Sequence, residues 1–211
     1  MHRPLPDAPA GVPADDPRHQ RVRDAVRALV AEHGVAVSMD LIAARAGCSK
    51  QTLYARYGSK QALLHQVGRE GMAATRLPEA PSAGTLRDAL VAFAEAHLAH
   101  LAEPQTLGTA RLVTAQAQEF PEEVAQIYVS YAGALVDRLA AWLQQAMRRG
   151  LLRHDDPHCA AELLLGMIVG LDFDRQRHLA PHRDTHEARS QWAAFAIDSF
   201  LRAFAPPAPR Y

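Results

Sequence analysis

The sequence predicts an all-α protein, and three observations carry that prediction. Alanine is abundant while aromatic residues make up 6% of the chain, a balance that favours helix over sheet. Apolar residues recur at i, i+3, i+4 and i+7 along most of its length. Ser, Asp or Pro stands where these stripes begin and Gly where several end, as helix caps require. About nine helices are expected, with no internal repeat and no coiled-coil heptads.

Residues 1–17 are rich in Pro, Ala and Asp, bury little, and are expected to form a flexible arm. Asp15, Asp16 and Pro17 open the first helix. Val22, Val26, Leu29 and Val30 are its buried stripe, and Gly34 ends it. Ser38 caps a second helix that stops at Gly47. Ser49 caps a third over Lys50 to Tyr57, and Ser59 caps a fourth reaching about residue 76. Turns of three residues or fewer between these helices leave no room for strands. The pattern then predicts helices at Leu86–Leu101, Pro104–Phe120, Pro121–Met147, Pro157–His178 and Thr185–Phe204. The expected organisation is an arm over 1–17, a first domain over 18–76, a second over 77–205 and a tail over 206–211.

Formal net charge is zero, but its distribution is uneven: residues 1–76 carry 11 Lys and Arg against 7 Asp and Glu. The first third is therefore basic and suited to an anionic partner. Two cysteines, Cys48 and Cys159, exclude a dense disulfide framework and fit a cytoplasmic chain. No long apolar run marks a signal peptide, and the apolar stretch from Leu163 to Leu171 is too short to span a bilayer. No membrane partner is expected.

Residues 38–60 read SMDLIAARAGCSKQTLYARYGSK. The first short helix packs through Ile42, Ala43 and Ala46, and its alanines admit a close neighbour. Gly47 makes the turn and Cys48 fills the slot beside it. The next helix buries Leu53 and Tyr57 and presents Lys50, Gln51, Thr52, Tyr54 and Arg56 on its other side. This is a helix-turn-helix with its second helix free to enter a major groove.

The run IAARAGCSKQTLYARYGSKQALL resembles the DNA-binding domain of the TetR (AcrR-like) family of transcriptional regulators. The matching positions are Ile42, Ala43, Ala46, Gly47, Ser49, Thr52, Leu53, Tyr54, Tyr57, Ser59, Lys60, Ala62, Leu63 and Leu64. The resemblance implies double-stranded operator DNA as a partner. It implies that Lys50, Gln51, Thr52 and Arg56 face base edges or nearby phosphates. Ser38, Tyr54 and Lys60 would hold phosphates, and Tyr57 is counted in the same DNA-binding set. Cys48 stands where the family usually has valine.

The stretches ARLVTAQAQEFPEEVAQIYVSYAG and RRGLLRHDDPHCAAELLLGMIVG resemble the C-terminal domain of the AefR-like subgroup. That resemblance implies a homodimer whose interface is built from the last two long helices, with Leu163, Met167, Gly170, Trp192, Phe195, Ser199 and Phe200 as candidates. Gly166 and Gly170, four apart, would admit close helix contact. It also implies a small, mostly apolar effector. Candidate pocket residues are Phe93, His97, Leu112, Gln116, Phe120, Tyr128, Tyr131, Met167 and Phe173; a core role is the equal alternative for each.

Eleven histidines raise the alternative of a metal-dependent enzyme, but His97/His100, His154/His158 and His178/His182/His186 have no diagnostic ligand spacing. No glycine-rich phosphate loop, serine elbow or carboxylate pair with a base is present. Asp172 and Asp174 read as a solvated helix end. No enzyme activity, cofactor or metal is expected. A second alternative keeps the DNA-binding fold but takes its signal from Cys48 oxidation or a protein partner.

Overall fold

A computed structural model describes residues 16–72, 77 and 81–206. The expected flexible segments at 1–15 and 207–211, and the end of the fourth helix at 73–76, lie outside the described residues. Those described form eleven α-helices: α1 Pro17–His33, α2 Met39–Ala46, α3 Lys50–Tyr57, α4 Lys60–Met72, α5 Leu86–Leu101, α6 Pro104–Ala115, α7 Pro121–Tyr128, α8 Ala134–Arg148, α9 Pro157–Val169, α10 Asp172–Arg177 and α11 His186–Ala203. No strand occurs among them.

The first four helices start where their caps place them. Asp16 accepts from Arg18 N at 2.9 Å, Ser38 from Leu41 N at 3.2 Å, Ser49 from Thr52 N at 3.0 Å and Ser59 from Ala62 N at 3.0 Å. Each cap satisfies an otherwise orphaned amide. Gly47 takes the left-handed conformation that ends α2 (φ 66°, ψ 39°), where any other residue would meet Cβ strain.

The helix count exceeds nine because two predicted helices are broken; a third ends early. Pro121–Met147 is interrupted by a π-helical segment at Val129–Gly133. There the buried Ser130 hydroxyl donates to the Gln126 carbonyl at 2.5 Å, back-bonding that loosens the regular ladder. Pro157–His178 breaks at Gly170 (φ 53°). Pro104–Phe120 ends at Ala115, since Gln116 leaves the helix to serve another element, described below.

Two apolar cores result. One joins Val22, Val26 and Leu29 of α1 with Ile42, Leu53, Leu63 and Val67, and Ile127 of α7 packs against it. The other joins Leu90 and Phe93 of α5, Leu139 and Leu143 of α8, Leu164 and Ile168 of α9 and Ile197 and Phe200 of α11. Here α8 packs on α9, and α11 on α5 and α9. Asp172, expected as a solvated end, is 1% exposed. It accepts from Gln176 Nε2 at 2.9 Å and Arg183 N at 3.2 Å, anchoring the loop before α11.

The two cores are fastened together at the C-terminus of α1. Gln116 Oε1 accepts from Val35 N at 2.7 Å and its Nε2 donates to His33 O at 3.1 Å. Gly34 lies beneath this amide with φ 62°, and a Cβ there would collide with the Gln116 side chain. Lys60 Nζ donates to Val35 O at 3.1 Å and stands 3.9 Å from Glu123 Oε1 of α7.

Three outcomes test this packing. Phe200 is fully buried within one chain, so Phe200→Ala should lower unfolding free energy by about 3–5 kcal/mol in urea titrations at fixed protomer concentration. Gln116→Ala strands the amide of buried Val35 and should cost about 1–3 kcal/mol. Gly34→Ala should cost at least as much, because left-handed strain adds to the collision.

Candidate nucleic-acid interface

Helix α3 is amphipathic in the sense the sequence predicts. Leu53 and Tyr57 are buried against the first core, and Lys50, Gln51, Thr52 and Tyr54 are exposed. Tyr54 keeps 45% of its surface accessible. Beside it lies an open concavity of about 440 Å³ lined by Ser49, Gln51, Thr52, Ala55 and Arg56. The α2–α3 turn thus holds α2 by its apolar face and leaves the polar face of α3 free, with amide, hydroxyl, phenol and ammonium donors along one side.

The cations of this face are paired within the chain. Lys50 Nζ donates to Asp40 Oδ2 at 2.7 Å, and that bond holds the ammonium pKa above its ordinary value. Arg56 Nη1 donates to Asp16 Oδ2 at 2.8 Å. The Asp16 carboxyl is held below its ordinary range, first by the Arg18 amide and then by Arg56. Arg56 is half-buried, and its Nε and Nη2 are enclosed without an acceptor.

The other residues of the expected DNA-binding set divide. Ser38 is exposed at the start of α2, its hydroxyl engaged as a cap. Tyr57 is 6% exposed and meets His19 Nδ1 through its hydroxyl at 2.7 Å. It is core, on the same stripe of the helix as Leu53 four residues before it. Lys60 faces the joint with α7 rather than open solvent. Sequence reasoning missed His19 and Asp16 as the groups that position Tyr57 and Arg56; their spacing from α3, about forty residues, carries no local signal.

Of the nine candidate pocket residues, Phe93 belongs to the second core and Tyr131 and Met167 pack against it. Phe93 and His97 are buried in the second core with rings stacked 6.0 Å apart. Tyr131 is half-buried and meets His100 Nε2 at 2.6 Å, and its phenol is pushed up to about 12 by burial. Phe173 lies under Arg177 at 5.4 Å, and Met167 packs on the second core. Leu112 and Phe120 are half-buried. Tyr128 is 71% exposed, and Gln116 is committed to the joint. Burial, with a smaller contribution from His100, holds His97 down to about 4, and its Nδ1 has no partner.

The candidate dimer residues also separate. Leu163 and Phe195 are 50% and 58% exposed, on the outer faces of the neighbouring helices α9 and α11. Ser199 and Met167 are half-buried. Phe200 points the other way, into its own chain. Trp192 donates from Nε1 to Ile168 O at 2.7 Å, carries the Arg183 guanidinium 3.8 Å above its ring and fills the space over Gly170.

The described residues form an all-helical fold with an exposed helix-turn-helix, the kind of module that enters a DNA major groove. Comparison with known proteins makes the class specific. Residues 22–67 match the tetR family of bacterial regulatory proteins. Residues 88–206 match the AefR-like transcriptional repressor, C-terminal domain. An HTH-type transcriptional regulator of Mycobacterium tuberculosis is 30% identical over 148 residues, 69% of this chain and 71% of the relative. Among solved structures, the flavonoid-responsive regulator FrrA is 30% identical over 90% of this chain and 98% of its own, with TM-score 0.70. A TetR regulator from Agrobacterium tumefaciens is 27% identical over 90% and 96%, with TM-score 0.72. The chain belongs to the TetR family and is a DNA-binding transcriptional regulator, not an enzyme. No helix of the described residues is long and apolar enough to cross a membrane.

The buried imidazole gives a pH dependence. His97 has a folded pKa of about 4 against an ordinary 6.5, so the unfolded chain binds the extra proton between those values. Its contribution is fully present above pH 6.5 and is lost as pH falls toward 4. Urea midpoints at pH 7 and pH 5 should differ by an amount equivalent to about 2 kcal/mol more in the wild type than in His97→Gln.

Proposed function

We propose that this protein is a homodimeric repressor that reads operator DNA with α3 and is released by a small, mostly apolar effector. The observation that carries the DNA reading is the free outer face of α3, where Lys50, Gln51, Thr52 and Tyr54 stand exposed on a helix whose opposite side is locked into the core. Gln51 supplies the paired donor and acceptor that suit adenine, Lys50 a donor for guanine or phosphate, and Tyr54 a phosphate contact.

Dimerisation is supported by Leu163 and Phe195, large apolar side chains exposed on adjacent helices, and by Gly166, which is exposed with open space above it. A two-fold protein presents its recognition helices to successive major grooves roughly 34–36 Å apart. An effector bound in the second helical body would act through its different affinity for conformations with different spacing. The similarity to FrrA makes planar aromatic compounds such as flavonoids the first effector class to screen.

Selection of genomic fragments by the purified protein should enrich one pseudo-palindromic site, and Gln51→Ala/Tyr54→Ala should abolish that enrichment. Equal enrichment by the variant would overturn the reading. Leu163→Glu/Phe195→Glu should shift sedimentation from dimer to monomer and weaken operator binding at least tenfold. A dimer that persists places the interface elsewhere.

A further inference from the structure

The recognition face carries its own anions. Two of its cations, Lys50 and Arg56, are held by carboxylates from different elements: Asp40 in the first turn of α2 and Asp16 at the cap of α1. Neither pairing is needed to form its helix. Asp16 caps α1 through Oδ1, leaving Oδ2 for Arg56. Asp40 stands after the capping Ser38 and is exposed. The Arg56 pairing is also incomplete, since one of its N–H groups is served while Nε and Nη2 have no acceptor. Arg56 lines the open concavity on α3, where an incoming anionic oxygen would approach.

We infer that Asp16 and Asp40 are built-in competitors for DNA phosphate: each occupies a recognition-helix cation that DNA must take over, and together they suppress binding to DNA of unrelated sequence. This inference rests on the reading of α3 as the DNA-contacting helix. The physical logic is one of differences. Binding to any duplex draws its affinity from cations that replace condensed counterions. A cation already paired releases fewer counterions and must first give up its carboxylate. A cognate site adds base-edge bonds that meet this cost, while an unrelated site has only phosphates to offer. The acids therefore weaken binding to every duplex by the same cost, and DNA of unrelated sequence, held by phosphates alone, is the complex least able to bear it.

The experiment measures binding of a labelled duplex of scrambled sequence by fluorescence anisotropy across a salt series. It uses the full chain and the variants Asp16→Asn, Asp40→Asn, Arg56→Gln, Lys50→Gln and the two pairwise combinations. Asparagine caps a helix as well as aspartate, so α1 keeps its start. Each Asn variant should bind on the order of two- to fivefold more tightly, with a salt slope steeper by roughly 0.9. That gain should vanish when the partner cation is glutamine, because the double-mutant cycle removes the pair itself. A gain of equal size in both backgrounds would show long-range repulsion only and would overturn the inference, as would no gain in either. If Lys50→Gln and Arg56→Gln leave binding unchanged, the reading of α3 fails first and the inference falls with it.

Discussion

The two helical bodies are fastened at the C-terminus of α1, where polar bonds fix how the first meets the second. Three backbone groups there, His33 O, Val35 N and Val35 O, are bonded to side chains from elsewhere, two of them to Gln116 and one to Lys60. A helix end leaves carbonyls without partners, and here the partner comes from the other helical body. Gly34 makes the contact feasible because it alone has no Cβ to fill the space that the amide occupies. The same few atoms end α1, set the approach of α2 and bind the two cores into one structure.

The joint explains why some residues that look like ligand or DNA contacts are used for architecture. Gln116 lies at the end of α6, where a polar residue facing a helical body suggests a pocket. Lys60 begins α4, where an ammonium group suggests a phosphate site. Each satisfies the α1 terminus. The apolar contact beside them, Ile127 of α7 on the first core, adds burial to directional bonding. Polar bonds fix the angle and apolar contact supplies attraction.

Much of this fold was legible in the chain because its helix starts are written in single residues. Asp16, Ser38, Ser49 and Ser59 each announce a cap, and Pro104, Pro121 and Pro157 each begin a first turn. The breaks were not legible, because they depend on tertiary partners. Ser130 widens its helix from within an apolar run, Gly170 yields to the indole of Trp192, and Gln116 leaves α6 for a group about eighty residues away. The site shows the same division. The outer face of α3 follows from helical period alone. The acids that occupy its cations, the choice of His19 as partner of the Tyr57 hydroxyl and the inward turn of Phe200 follow from long-range packing, to which a local pattern is blind.

The placement of the joint limits how an effector could reach the DNA-binding helices. The second body touches the first through α6 at α1, through α7 at α4, and through the π segment at α4. At the last of these, Ser130 lies so close to Gly68 that a Cβ there would come within 3.3 Å of it. The segment is widened at the point of contact, and a π turn can revert to α-helix by shifting its hydrogen-bond register. A change of register would withdraw Ser130 from α4 and move α7, which carries both Ile127 and Glu123. Packed interiors respond to such steps by adopting another discrete arrangement rather than by bending smoothly. Gln116, Ile127, Glu123 and Ser130 are therefore residues at which a signal crossing this boundary would be felt.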